Sequence, residues 1–93
     1  MGWFVYILSC ANGSFYVGHS IDPQRRLMRH VAGIGAQHTA TYPPERTVYQ
    51  EHFATEAEAA RRERQLKGWS HAKKEALIAG DRGRLRVLSR SHD

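Results

Sequence analysis

With 93 residues, 41% of them hydrophobic, the sequence supports one hydrophobic core and one domain, because small chains leave much of their surface in water. It holds no apolar run of roughly 18 residues of the kind that crosses a bilayer, and its apolar start, Trp3 to Leu8, lacks the basic leader and length of a secretory signal, so a soluble, cytoplasmic protein without a membrane partner is expected. Lys and Arg number 14 against 9 Asp and Glu, a charge of +5 with histidines neutral, which favours a polyanionic partner over an acidic small molecule; the single Cys10 excludes an internal disulfide and reads as a small buried apolar residue.

In chain order, Trp3-Phe4-Val5-Tyr6-Ile7-Leu8 is an aromatic and β-branched run without helical periodicity. Asn12-Gly13 and a second run, Phe15-Tyr16-Val17, follow and predict a β-hairpin. A two-residue turn at Asn12-Gly13 would set Tyr6 and Tyr16 on opposite faces, whereas a three-residue loop ending in a left-handed Gly13 would set them together. Asp22-Pro23 supplies a cap and a first-turn proline for a helix over Pro23 to Ala32, ended by Gly33 and Gly35. Residues 33–46, with Pro43-Pro44, read as a loop, and Thr47 to Phe53 as a third strand whose Gln50, Glu51 and His52 suit a sheet edge. The first strand, apolar on both faces, suits the sheet centre.

Thr55-Glu56-Ala57-Glu58 is a capping box opening a helix through about Lys67. Gly68 closes it, and Ser70 caps a third helix that carries Ala72, Ala76, Leu77 and Ile78 and ends at Gly80. From Asp81 a loosely held basic tail is expected, its alternating Arg82, Arg84 and Arg86 leaving an edge strand or a phosphate-binding arm as alternatives. The expected architecture is α/β, a small three-stranded, mainly antiparallel sheet flanked by about three helices in the order β-β-α-β-α-α. Residues 1–80 form the domain and 81–93 the tail.

Three groups of residues bear on chemistry. Tyr6 and Tyr16 are core aromatics on composition alone, or a pair of phenols if the hairpin brings them together. Arg26 and His30 lie four apart on one helical face, suited to a phosphate and a proton relay, or to plain solvation beside Arg25 and Arg29. Glu63 shares a stripe with Ala59, Ala60, Leu66 and Lys67, so a carboxylate sits on the inward face and needs either a metal ion or a salt bridge to Arg26, Arg62 or Lys67. The six histidines form no HExxH or Cys/His zinc pattern, and no Walker loop or GxSxG is present.

Phe4-Val5-Tyr6, Tyr16-Val17-Gly18, Arg26-Leu27 with His30, and Glu63 on a later helix together resemble the GIY-YIG nuclease family in residue type, order and spacing. The stretch Ala57 to Ile78 is similar to its small stand-alone branch, called UPF0213. The resemblance implies a hydrolase, an endonuclease cutting nucleic-acid phosphodiesters with one divalent ion, Mg2+ or Mn2+. DNA, cut with low sequence specificity, is the expected substrate and RNA the alternative; the rival reading is a non-catalytic nucleic-acid-binding module on the same fold. By the same resemblance Tyr6 serves as or assists the general base, Tyr16 positions the water, Arg26 stabilises phosphorane charge, His30 supports proton transfer and Glu63 holds the metal. Arg25, Arg29, Lys67 and Lys73 are phosphate-contact candidates on charge. Two departures stand out: Phe4 replaces the first glycine, and Ala36 is followed by Gln37-His38-Thr39 where the small branch has a lysine and a tyrosine.

Overall fold

The computed structural model describes residues 2–33 and 41–90. Strands β1 (Trp3–Cys10), β2 (Phe15–Ser20) and β3 (Pro44–Phe53) form one antiparallel sheet in the order β2-β1-β3. Helices α1 (Pro23–Val31), α2 (Glu56–Lys67), α3 (His71–Ala79) and α4 (Arg82–Ser89) complete the described elements. β1 is the central strand, as its two apolar faces require: Val5, Tyr6, Ile7 and Leu8 are all 0% exposed.

The hairpin loop sets everything that follows. Cys10 N–H donates to Ser14 O and Gly13 N–H to Cys10 O, each at 2.9 Å, and Gly13 takes the left-handed conformation at φ 84. The loop is therefore the three-residue form, Ala11-Asn12-Gly13, and Asn12 Oδ1 braces it by accepting from Ser14 N–H at 3.1 Å. The resulting register puts Gly18 opposite Tyr6 and Tyr16 opposite Leu8. Side chains alternate along a strand, so Tyr6, Tyr16 and Gly18 share one face while Val5, Ile7, Val17 and His19 share the other.

The second of these faces carries the main core, in which Val5, Ile7 and Val17 pack with Ala59 and Leu66 of α2, edged by Trp69, Leu77 and Ile78. The first is covered in part by α1, whose His30 is 1% exposed. Local chemistry fixes the helix starts. Asp22 accepts from Arg25 N–H with Pro23 in the first turn, Thr55 and Glu58 close a reciprocal capping box, and Ser70 accepts from Lys73 N–H. Gly80, left-handed at φ 71, ends α3.

Two expectations need correction. β3 begins at Pro44 rather than Thr47, with breaks in the β1 register between Ile7 and Leu8 and between Ser9 and Cys10; at a sheet edge with such bulges a proline costs no ladder bond. The stretch after Asp81 is neither a loosely held tail nor an edge strand but the helix α4, packed on α3. Asp81 caps it by accepting from Arg84 N–H, and the half-buried Leu85 and Leu88, three apart, give it a helical apolar side that the alternating arginines disguise. The Gln37-His38-Thr39 departure and half of the expected loop, residues 34–40, lie outside the described residues.

Gly13 offers a direct check on the loop. An added Cβ meets nothing within 4 Å, so the cost of Gly13→Ala is the left-handed backbone alone, about 1–2 kcal/mol. Urea denaturation of the folded variant should show that loss without a change in fold.

Candidate active site

On the α1 face, Tyr6 crosses β2 toward the sheet edge because the residue facing it has no side chain. A Cβ on Gly18 would stand 2.5 Å from the Tyr6 hydroxyl. The phenol ends 3.2 Å from His30 Nε2. Tyr16 completes a cluster of three rings, its centroid 6.4 Å from Tyr6 and 4.7 Å from His30. Arg26, one helical turn before His30, also reaches the Tyr6 hydroxyl. Its Nε is buried and has no hydrogen-bond partner among the described residues, an arrangement that is costly unless something else binds there.

The charge states follow from these neighbours. Burial pushes the Tyr6 phenol above its ordinary value, a rise opposed by the Arg26 hydrogen bond and reinforced by Tyr16. Burial also lowers His30, and the positive charges of Arg26 and Arg29 lower it further, so this imidazole is neutral at pH 7.

On the α2 face, Glu63 is held by two bases. Oε1 meets His19 Nδ1 at 2.5 Å and Oε2 meets Lys67 Nζ at 2.6 Å. His19 extends the chain through Nε2 to Glu56 Oε2 at 3.4 Å. Burial alone would raise the Glu63 pKa, but hydrogen bonds from Lys67 and His19 outweigh it and hold the carboxyl below the usual range. Glu63 is thus an anion at neutral pH.

These two half-sites open into one cleft of about 410 Å³ that wraps the free edge of β2, with Tyr16, Gly18 and Arg26 on one wall and His19, Glu56, Glu63 and Trp3 on the other. A smaller hollow of about 200 Å³ continues from it, sharing Ser20, Ile21 and Arg26 and adding Arg25 and Arg29. Of the nine residues singled out in the sequence, Tyr16, Arg26 and Glu63 line the main cleft. Arg25 and Arg29 line its extension. Tyr6 and His30 form a buried pair behind the wall, and Lys67 lies on Glu63. Lys73 is placed elsewhere, 7% exposed with its ammonium 4.2 Å over the Trp69 ring, beside Arg62 at 5.2 Å on the same ring.

His19 and Glu56 were missed. The sequence offered a signal for both: His19 alternates away from Tyr16 and Gly18 and so faces α2, and Glu56 lies seven residues, two turns, before Glu63 on that helix.

As to chemistry, the cleft brings together the Arg26 guanidinium, whose buried Nε has no partner among the described residues, the Tyr16 phenol and an ionised carboxylate. For a divalent ion the available protein donor is hard oxygen. Each Glu63 oxygen has one protein partner in hand and retains a further lone pair, but no group of three or more His, Cys, Asp or Glu is placed to hold a metal among the described residues. The donor set fits an ion that takes one carboxylate and completes its shell with water and phosphate, as Mg2+ does.

Comparison with known proteins gives the same frame. Residues 2–76 match the GIY-YIG catalytic domain. A UPF0213 protein of Natronomonas pharaonis is 40% identical over 80 residues, covering 86% of this chain and 94% of the relative. The solution NMR structure of a UPF0213 protein from Bacillus halodurans is similar at TM-score 0.55 and 40% identity, covering 87% of this chain and 86% of that one. A second NMR structure, a protein from E. faecalis, gives TM-score 0.59 at 32% identity over 86% and 85% of the two chains.

Two measurements check the site. Tyr6 is 0% exposed and cannot retreat, so Gly18→Ala should destabilise the fold by about 1–3 kcal/mol through overpacking, read from its urea midpoint. Folding lowers the Glu63 pKa, so its contribution to stability is present above the unfolded value, about 4.3, and is lost as pH falls through the folded one. The stability of wild type should therefore drop across that acid window, and Glu63→Gln should flatten the drop.

Proposed function

Because the chain belongs to the GIY-YIG family, we propose that it is a metal-dependent endonuclease hydrolysing nucleic-acid phosphodiesters, acting on DNA with low sequence specificity. The observation that carries this reading is the buried Arg26 Nε, unpartnered among the described residues, in a cleft that also holds an ionised Glu63. A phosphate oxygen is an acceptor of the right charge for that donor.

In this reading the scissile phosphate lies against Arg26, whose planar charge stabilises the phosphorane as negative charge grows on its oxygens. The strand continues along the hollow toward Arg25 and Arg29, which contact backbone phosphates and read no sequence. Tyr16, on the cleft wall, orients the attacking water. A phenol raised by burial is a weak base by itself. Tyr6 therefore acts together with His30, whose neutral Nε2 at 3.2 Å takes the phenolic proton as Tyr6 takes one from the water. Water oxygen bonds to phosphorus as the bond to the leaving oxygen breaks; that oxygen takes a proton from bulk water at the open cleft and leaves as an alcohol, and His30 returns its proton to solvent.

Glu63 would hold the divalent ion, Mg2+ or Mn2+, and when bound the ion polarises the phosphoryl oxygen and eases deprotonation of water. His19 positions the Glu63 carboxylate by fixing Oε1 from the opposite side to Lys67. The rival, a nucleic-acid-binding module without catalysis, is favoured by one observation: His19 and Lys67 already hold both Glu63 oxygens.

Cleavage of labelled linear, branched and single-stranded DNA and RNA, with Mg2+ or Mn2+, separates the two. Wild type should cut, while folded Glu63→Ala and Tyr6→Phe should lose activity by about 100-fold or more. Binding without cutting by wild type, or equal cutting by the variants, would sink the catalytic reading in favour of the module.

A further inference from the structure

We propose that α4 is a second phosphate-binding element, gripping nucleic-acid backbone outside the cleft with a stripe of three arginines; this rests on the nucleic-acid reading above. Arg82, Arg86 and Arg90 recur every four residues and so fall on one helical face. Arg90, though the cap, keeps that register, since its N–H reaches Arg86 O at 3.3 Å. All three are exposed, and none forms an ion pair among the described residues. They span about 12 Å of helix, a length over which duplex DNA carries about seven phosphate charges.

The stripe is a burden to the free protein. Like charges four apart repel each other along a helix, and Arg82 in the first turn opposes the helix dipole. A helix of eight residues has little propensity energy to spare. A polyanion removes both costs at once. The chemistry favours nucleic acid over a lipid surface, because Leu85 and Leu88, half-buried, mark the side turned to α3 and leave Val87 as the large exposed apolar residue of the helix. A bilayer-bound helix needs a continuous apolar face. Arg84 provides an internal contrast, since it lines a hollow with Glu75 and Asp81 and its charge is locally opposed. The element also lies beyond residues 2–76, which carry the family's catalytic domain.

The test is the salt dependence of binding to a fluorescein-labelled DNA duplex, without divalent metal so that nothing is cut. In wild type the logarithm of affinity should fall linearly with the logarithm of salt. In Arg82→Gln/Arg86→Gln/Arg90→Gln that slope should be shallower by about 2 to 3, whereas Arg84→Gln should leave it unchanged. Circular dichroism and thermal melting confirm folding; glutamine is a good helix former and removes the repulsion, so the triple variant should melt no lower than wild type. An unchanged slope in the folded triple variant, or an equal effect of Arg84→Gln and Arg86→Gln, overturns the proposal and leaves the nuclease reading standing. So does binding to anionic phospholipid vesicles that the triple substitution abolishes while DNA binding is untouched. Failure of wild type to bind DNA or RNA at all is a separate result, and it would sink both readings.

Discussion

A tyrosine can lie flat across an edge strand only where the strand offers it no β-carbon. That constraint at Gly18 organises the molecule: it lets Tyr6 bring its hydroxyl to His30 and Arg26, and it removes the side chain that would otherwise divide the cleft at the β2 edge. The pairing of Tyr6 with Gly18 depends in turn on the three-residue loop, since a loop shorter by one would turn the tyrosines apart. A single left-handed glycine at position 13 thus decides which groups share a face some 15 Å away, at a strand rise of about 3.3 Å per residue.

Electrostatics then divides the labour between the two walls. On the α1 side burial and the neighbouring arginines keep His30 neutral, while burial keeps Tyr6 protonated against the pull of Arg26, so the pair carries no net charge. On the α2 side burial acts against the charge of Glu63 and loses, because two bases hold its oxygens. The same desolvation therefore yields a neutral pair on one wall and a fixed anion on the other, and the difference lies in the partners each helix supplies.

Much of this was legible in the sequence because it is local. Helix starts at Asp22, Thr55 and Ser70 are written in the residue that caps and the donor that it satisfies, and the centrality of β1 is written in the unbroken aromatic and aliphatic run from Trp3 to Leu8. The hairpin was legible only as a choice, since Asn12-Gly13 is compatible with either loop length. What escaped was decided by partners distant in the chain. His19 acquires its role 44 residues later in Glu63, and Lys73, a phosphate contact by charge, is claimed by the Trp69 ring. The α4 helix escaped because alternating arginines imitate a strand period, while its two leucines, spaced for a helix, have α3 to lie against.

The outer border of β3 bears on how copies of this chain meet. It opens with a proline that has no N–H to offer, breaks register with β1 twice, and carries Glu45, Arg46 and Glu51 along its length. An incoming strand would find interrupted backbone donors, a twisted track and charge to bury. The opposite border, β2, faces the cleft. Growth of the sheet into a cross-β stack is therefore opposed at the β3 border by backbone irregularity and charge, while the β2 border is given over to the cleft, so the two edges of the same small sheet serve different ends.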